Sequence, residues 1–295
     1  MRLQQLREFV AVAEAGSVRS ASRALGVTQP ALSKSVRQLE NEVNAALFLR
    51  SASGVTLTPF GNAFLLRARL ISAEMQRMEE DLRALRGDSG GVLRLAVAPS
   101  TCATLIPRAL RTFRQQRPTT EVVIVDGLYP SGATLVRSGS VDLFVGSLQP
   151  GEAGRDLRVE RLCGNPIAIT SRPGHPLSNA SSLEALANAE WIFGGPLGWR
   201  GSYFVEIFRR RGLPAPRSCI QAESFIALLA IVSESDLMSI MPRRMLEHGP
   251  FQFALHALPL RERLELPPIG AISNGASPQT PVARDFVRAL RQVAD

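Results

Sequence analysis

The stretch that most constrains this chain runs from Thr58 to Gly91. Thr58 and Pro59 have the form of a helix N-cap followed by a first-turn proline, and after Gly61 no glycine or proline intervenes before Gly87. Phe64, Ile71, Met78 and Leu85 recur every seven residues, and Ala68, Met75 and Leu82 interleave with them. Charged Arg67, Glu74, Arg77 and Asp81 stand beside this stripe. The spacing predicts one long helix with a narrow apolar seam of the a/d kind. A helix of this length and pattern needs a partner for its stripe. Either a second copy supplies it, through Phe64, Ala68, Ile71, Met75, Met78, Leu82 and Leu85, or the helix packs on its own domain.

The helix runs out in GDSGG, Gly87–Gly91, a pentapeptide similar to the catalytic-serine motif of chymotrypsin-like proteases. A serine nucleophile needs a histidine base, and those proteases place their histidine and aspartate before the serine. Here His175, His248 and His256 all follow Ser89. Three scattered cysteines, Cys102, Cys163 and Cys219, supply no extracellular disulfide framework. GDSGG therefore reads as a helix end and hinge over 87–91.

Before the long helix, helical periodicity starts at once. Leu3, Leu6, Phe9, Val10 and Ala13 share one face, Gly16 ends that helix and Ser17 caps the next. Val18, Ala21 and Leu25 form the second apolar face. Gly26-Val27-Thr28 makes a tight turn, with Thr28 capping a third helix and Pro30 in its first turn. Ala31, Leu32, Val36 and Leu39 continue at helical spacing, so two helices joined by a short turn form a helix-turn-helix. The polar face of the third helix carries Thr28, Gln29, Pro30, Ser33, Lys34 and Arg37. Short hydroxyls, an amide and two cations suit phosphates and base edges of a major groove; an ordinary solvated face is the competing reading. AALFLR (45–50) and GVTLTPFG (54–61) then bracket a polar tip, as in a β-ribbon wing. Arg50, Thr56 and Thr58 are its expected contacts to the DNA backbone.

The run SVRSASRALGVTQPALSKSVRQLENEVNAALFLRSASGVTLTPFG resembles the N-terminal domain of LysR-type transcriptional regulators. The likeness rests on the Ala-rich second helix, TQPALS, QLE, LF-x-R and LT-x-x-G. One departure is Ser53, where family members often carry a second basic residue in the wing. The resemblance implies a winged helix-turn-helix over 1–58, a dimerisation helix over 59–86, and an effector domain over 92–295 that resembles periplasmic binding proteins. It also implies promoter DNA, a small effector and RNA polymerase as partners, in a homodimer or homotetramer. The segment ARLISAEMQRMEEDLRALRG is similar to the subgroup regulating aromatic sulfonate and sugar-uptake genes, which points to an organic acid or sulfonate as effector.

Beyond Val92 the pattern alternates. VLRLAVA (92–98), EVVIVD (121–126) and VDLFVG (141–146) read as strands with helices between, and PIAIT (166–170), WIFGG (191–195), RSCIQAE (217–223) and LMSIM (237–241) begin a second cycle. Buried runs argue for mostly parallel sheets covered by helices. IGAIS (269–273) and VARDFVRALRQV (282–293) return the chain, by resemblance, to the first subdomain. The division is then 92–162 with 269–295 for one subdomain and 163–268 for the other. Ligands of open α/β folds bind beyond the C-terminal strand ends. The candidate effector residues are Ser100, Thr101, Cys102, Gly127, Leu128, Tyr129 and Ser147 on one side. Gly195, Pro196, Arg200, Ser202 and Ser224 face them, with Arg200 a partner for a carboxylate or sulfonate. Each taken singly also fits an ordinary cap or turn. At a helix N-terminus the Cys102 thiol is expected to be acidified.

The formal charge is +8, carried almost wholly by arginine, with Lys34 the single lysine. It permits a nucleic-acid partner without requiring one. Glu8 and Glu14 interrupt the N-terminal apolar residues, so no signal peptide is expected, and FIALLAIV (225–232) is too short for a membrane span. A cytoplasmic regulator without cofactor, metal or enzymatic activity is the expectation. A solute-binding protein explains the second half but not the first 86 residues, and a hydrolase built on GDSGG meets the wrong histidine order.

Overall fold

The computed structural model describes residues 1–51, 54–85, 90–148, 154, 156–195, 202–248 and 255–294. The chain forms two compact units, one of Met1–Ser89 with Arg137–Ser140 and one of Gly90–Val136 with Val141–Asp295.

The first unit holds α1 (Leu3–Ala15), α2 (Val18–Leu25), α3 (Gln29–Glu42), β1 (Phe48–Ser51), β2 (Gly54–Leu57) and α4 (Pro59–Leu85). Its punctuation is local. Gly16 (φ 62) and Gly26 (φ 65) end α1 and α2 in the left-handed region, which glycine enters without Cβ cost. Ser17 and Thr28 accept the N–H groups of Ser20 and Ala31 and so cap α2 and α3. The antiparallel β1–β2 ribbon is fixed to α3 by Glu40, whose Oε1 accepts from Leu47 N at 2.8 Å and Phe48 N at 3.1 Å. Phe9, Leu32, Val36, Leu39 and Leu47 fill the core of this unit.

The start of α4 belongs to that core. Phe64 meets Phe9 edge-on at 5.0 Å between centroids, and Ala68 is 1% exposed. Ala68 is therefore buried inside its own unit, and half-buried Phe64 gives part of its apolar surface to the same core, so less of either is left for the predicted dimer seam. Gly61 allows the close approach, since a Cβ there would lie 2.1 Å from Leu47 O. Ile71, Met78 and Leu82 further along α4 are exposed and Met75 is half-buried; the side chain of Leu85 lies outside the described residues.

The second unit begins with β3 (Val92–Val97), α5 (Pro99–Cys102), α6 (Leu105–Gln116), β4 (Glu121–Asp126), α7 (Ser131–Arg137) and β5 (Leu143–Ser147). It continues through β6 (Leu157–Ser171), β7 (Glu190–Gly194), α8 (Ser202–Arg209), β8 (Arg217–Ala222), α9 (Phe225–Glu234), β9 (Ser239–Pro242) and α10 (Arg243–His248). β10 (His256–Ala257), β11 (Leu264–Asn274) and α11 (Pro281–Ala294) complete it. Among the described residues the parallel ladders are β3–β4, β3–β5 and β7–β8, with an isolated parallel bridge between Trp191 and Met238. β11 runs antiparallel to both β5 and β6, and β9 and β10 are antiparallel to β6. The main sheet is therefore mixed, where the buried runs had suggested mostly parallel pairing. A chain that leaves one lobe along β6 and returns along β11 has to pair those two strands in opposite directions.

One lobe is centred on β3, α6 and α11, where Phe113 and Phe286 meet at right angles, 5.4 Å apart. The other is centred on Trp191, packed by Phe193, Phe204 and Phe208. Between the lobes the β6–β11 ladder breaks at Leu266/Ile269, because Pro267 and Pro268 have no N–H to donate.

Candidate nucleic-acid interface and ligand cleft

On α3 the apolar residues Leu32, Val36 and Leu39 face the core, which turns the opposite side outward. Thr28, Gln29, Pro30, Lys34 and Arg37 are exposed and Ser33 is half-buried. Among the described residues Lys34 and Arg37 form no ion pair, so both charges stay available. Arg19 and Arg23 on α2 are exposed as well, two cations that periodicity alone did not single out. Thr56 is exposed on β2. The side chain of Arg50, and Ser53, lie outside the described residues.

Thr58 is a correction. It is only 7% exposed, its hydroxyl donates to Ala46 O at 2.7 Å, and it accepts from Gly61 N at 2.9 Å. It caps α4 from inside the unit and has no free surface for a phosphate. The LT-x-x-G motif is thus structural: a threonine cap and a glycine that lets α4 approach the wing.

The second unit encloses a cavity of about 180 Å³ between its lobes. Of the predicted residues it brings together Ser100, Leu128, Tyr129, Ser147 and Gly195, with Tyr203 and Glu223 beside them. Pro196 and Arg200, and the side chain of Ser202, lie outside the described residues.

Four predicted residues do not line the cavity. Thr101 is fully buried, with its hydroxyl 2.8 Å from Ala98 O and 3.0 Å from Val145 O. The N–H groups of Thr101 and Cys102 both bond to Ala98 O at 2.9 Å, so the expected free amides there are already used. Cys102 packs against the core; burial, followed by the charge of Asp126, pushes its thiol up rather than down. Gly127 lets α7 approach β3, where its Cβ would sit 3.3 Å from that of Ala96, and Ser224 caps α9 by accepting from Ala227 N at 3.2 Å.

Sequence patterns do not reveal the floor of the cavity, which comes from the strand crossing. Pro267 O accepts from Ser147 Oγ at 2.8 Å and from Asn165 Nδ2 at 3.2 Å. Leu148 N donates to Pro268 O at 2.8 Å. Both prolines turn their carbonyls to these donors where the ladder is broken. Asn165 is 5% exposed and its Oδ1 has no hydrogen-bond partner among the described residues. An unpaired buried acceptor of this kind costs about 1–3 kcal/mol. The only hint in sequence is Pro-Pro inside a strand. Phe144, Phe193, Phe225, Leu228 and Met241 make the rest of the wall largely apolar.

Outside this cleft, His175 serves the fold. His175 is buried, with Nδ1 accepting from Leu177 N at 2.9 Å and Nε2 at 3.1 Å from Asp236 O. Ser89 lies outside the described residues. No described helix is long and apolar enough to cross a membrane.

Residues 3–62 match the family described as bacterial regulatory helix-turn-helix protein, lysR family, and residues 86–295 match the LysR substrate binding domain. The HTH-type transcriptional regulator GalR of Pseudomonas putida is 26% identical over 291 residues, covering 98% of this chain and 73% of GalR. The SDS degradation transcriptional activation protein of a Pseudomonas species is 32% identical over 245 residues, covering 81% of this chain and 78% of that protein. Among solved structures, the LysR family regulator CbnR has the same fold, with a TM-score of 0.74 at 24% identity over the full length of both chains. CbnR complexed with its target DNA gives 0.69 at 23% identity, over 99% of this chain and 100% of that one. With both of its units matched, this chain belongs to the LysR family of transcriptional regulators.

Proposed function

We propose that this chain binds promoter DNA through α3 as a dimer or tetramer, and that a small effector in the interlobe cleft alters that binding. The observation that carries the reading is the face of α3, where Lys34 and Arg37 stand exposed and, among the described residues, form no ion pair, beside Thr28 and Gln29 on a helix anchored by its apolar side. Short polar side chains flanked by cations let such a helix enter a major groove and be held by phosphates. The exposed residues Ile71, Met78 and Leu82 of α4 supply the apolar strip through which two copies pair. Effector binding shifts the population of two assemblies only if it favours one of them.

The acid or sulfonate suggested by subgroup resemblance rests on Arg200, which lies outside the described residues. Among the described residues lining the cavity none is cationic. The reading is tested by footprinting the purified chain on the intergenic DNA beside its own gene. Protection of half-sites on successive helical turns supports it; absence of protection at low salt, with folded oligomer present, on that DNA and on randomised fragments, refutes it.

A further inference from the structure

We infer that α2 is a second anchor on DNA, with Arg19 and Arg23 holding phosphates of the backbone beside the groove that α3 enters. This rests on the reading of the first unit as a promoter-binding head. Three observations support it.

The first is where α2 runs. It begins at Gly16–Ser17, where Gly16 O accepts from Val55 N of the wing at 3.0 Å. The approach is close: a Cβ on Gly54 would lie 2.7 Å from the same oxygen. α2 ends at Gly26–Val27, whose N–H groups bond back to Arg23 O at 3.3 Å and Ser22 O at 3.0 Å and so fix the turn into α3. The helix therefore joins the two elements expected on DNA, the wing and the reading helix. Its inner side is Ala21 and Ser22, both buried, while Arg19 and Arg23 are exposed. Four residues apart, the two arginines stand one above the other on one flank, with a rise of about 6 Å between them. A duplex carries one phosphate per about 3.4 Å of its axis on each strand, so the two long side chains can hold two phosphates of one strand. Arginine suits this, since its planar fork matches phosphate oxygens.

The second is the charge around them. No carboxylate occurs between Glu14 and Glu40, a span that holds Arg19, Arg23, Lys34 and Arg37. The acids at its edges are engaged, Glu14 with Arg69 at 3.1 Å and Glu40 with the amides of Leu47 and Phe48. Among the described residues Arg19 and Arg23 form no ion pair. The third is the cost to α2 itself. A cation in the first turn opposes the helix dipole, and like charges four apart repel, so Arg19 does nothing for its own helix. Arg23 lies in the last turn, where a cation favours the dipole, which makes Arg19 the more telling of the two.

The test compares the full chain with Arg19→Gln, Arg23→Gln and the double variant by fluorescence anisotropy between about 50 and 200 mM salt. Two labelled duplexes of equal length are used, one protected in the footprint and one randomised. Glutamine removes the charge and keeps a comparable helix propensity. Each substitution should lower the slope of log K against log salt by about 0.9 per head, and the double variant by about 1.8. Affinity should fall by the same factor on both duplexes, because phosphate contacts position the protein and base contacts specify the sequence. A lowered slope with the melting temperature of Arg19→Gln unchanged or raised supports the inference. An unchanged slope, a loss confined to the protected duplex, or a lowered melting temperature of Arg19→Gln overturns it. The single variants keep the result readable if the double variant fails to fold. Wild-type chain that binds neither duplex at low salt sinks the promoter-binding reading, and this inference with it; wild-type binding with an unchanged slope in the variants sinks this inference alone.

Discussion

Replacing Lys34 and Arg37 together by alanine isolates the electrostatic part of DNA binding. The two residues lie three positions apart on α3, about 4.5 Å along its axis. Both are exposed, and neither is ion-paired among the described residues, so removing them breaks no bridge within the fold. Stability should change by less than about 0.5 kcal/mol, and the melting temperature serves as the control. Each cation withdrawn from a phosphate lowers the slope of log K against log salt by about 0.9, so one reading head loses about 1.8 and a pair of heads about 3.6. Between 50 and 200 mM salt, wild-type affinity should then fall about tenfold more steeply per head than that of the variant, and about a hundredfold more steeply for two. The assay is fluorescence anisotropy on a labelled operator across that salt range, at constant pH and protein stock. A variant with reduced affinity but an unchanged slope would show that these cations do not meet phosphates. Unchanged affinity and slope would remove α3 as the reading helix.

The α4 stripe divides into two functional parts. Phe64→Ala should destabilise the first unit by about 2–3 kcal/mol, seen in thermal unfolding, because it removes the edge-on partner of Phe9; Leu82→Ala should leave that unit's melting unchanged and weaken self-association in sedimentation. Equal effects of the two on association would restore Phe64 to the dimer seam. Gly61→Ala puts a Cβ 2.1 Å from Leu47 O, so the wing or α4 must shift, at a cost of about 1–3 kcal/mol or more; an unaltered melting curve would contradict this packing. For the cysteines, exposed Cys219 should react first with a disulfide reagent at neutral pH. Cys102 should accelerate only above the ordinary thiol range, since a raised thiol pKa means less thiolate at a given pH; rapid neutral-pH labelling of Cys102 would refute that environment.

Much of the first unit is legible in sequence because its signals are local. Gly16, Ser17, Gly26, Thr28 and Pro30 act within a turn of where they stand, and helical spacing alone separates Leu32, Val36 and Leu39 from Lys34 and Arg37. The cleft is partly legible for a related reason: strand ends bring residues such as Leu128 and Tyr129 to one rim. Thr101 and Ser224 mislead because a hydroxyl beside a helix start serves a cap or a carbonyl as readily as a ligand, and only the surrounding carbonyls of Ala98 and Val145 decide which. Asn165 and Pro267 carry no motif at all; their meeting depends on two strands separated by about a hundred residues.

Sequence alone determined the family pattern, the helix boundaries, the polar face of α3 and the continuous α4, since each follows from caps, turn residues and periodicity acting over a few positions. Tertiary structure decided which apolar residues of α4 remain exposed, because the same heptad pattern describes Phe64 against Phe9 and Leu82 in the open. It also decided the antiparallel course of β6 and β11 and the meeting of Ser147, Asn165 and Pro267 at their crossing. Those depend on the meeting of distant segments, where hydrogen-bond donors removed by two prolines are answered by side chains from other strands.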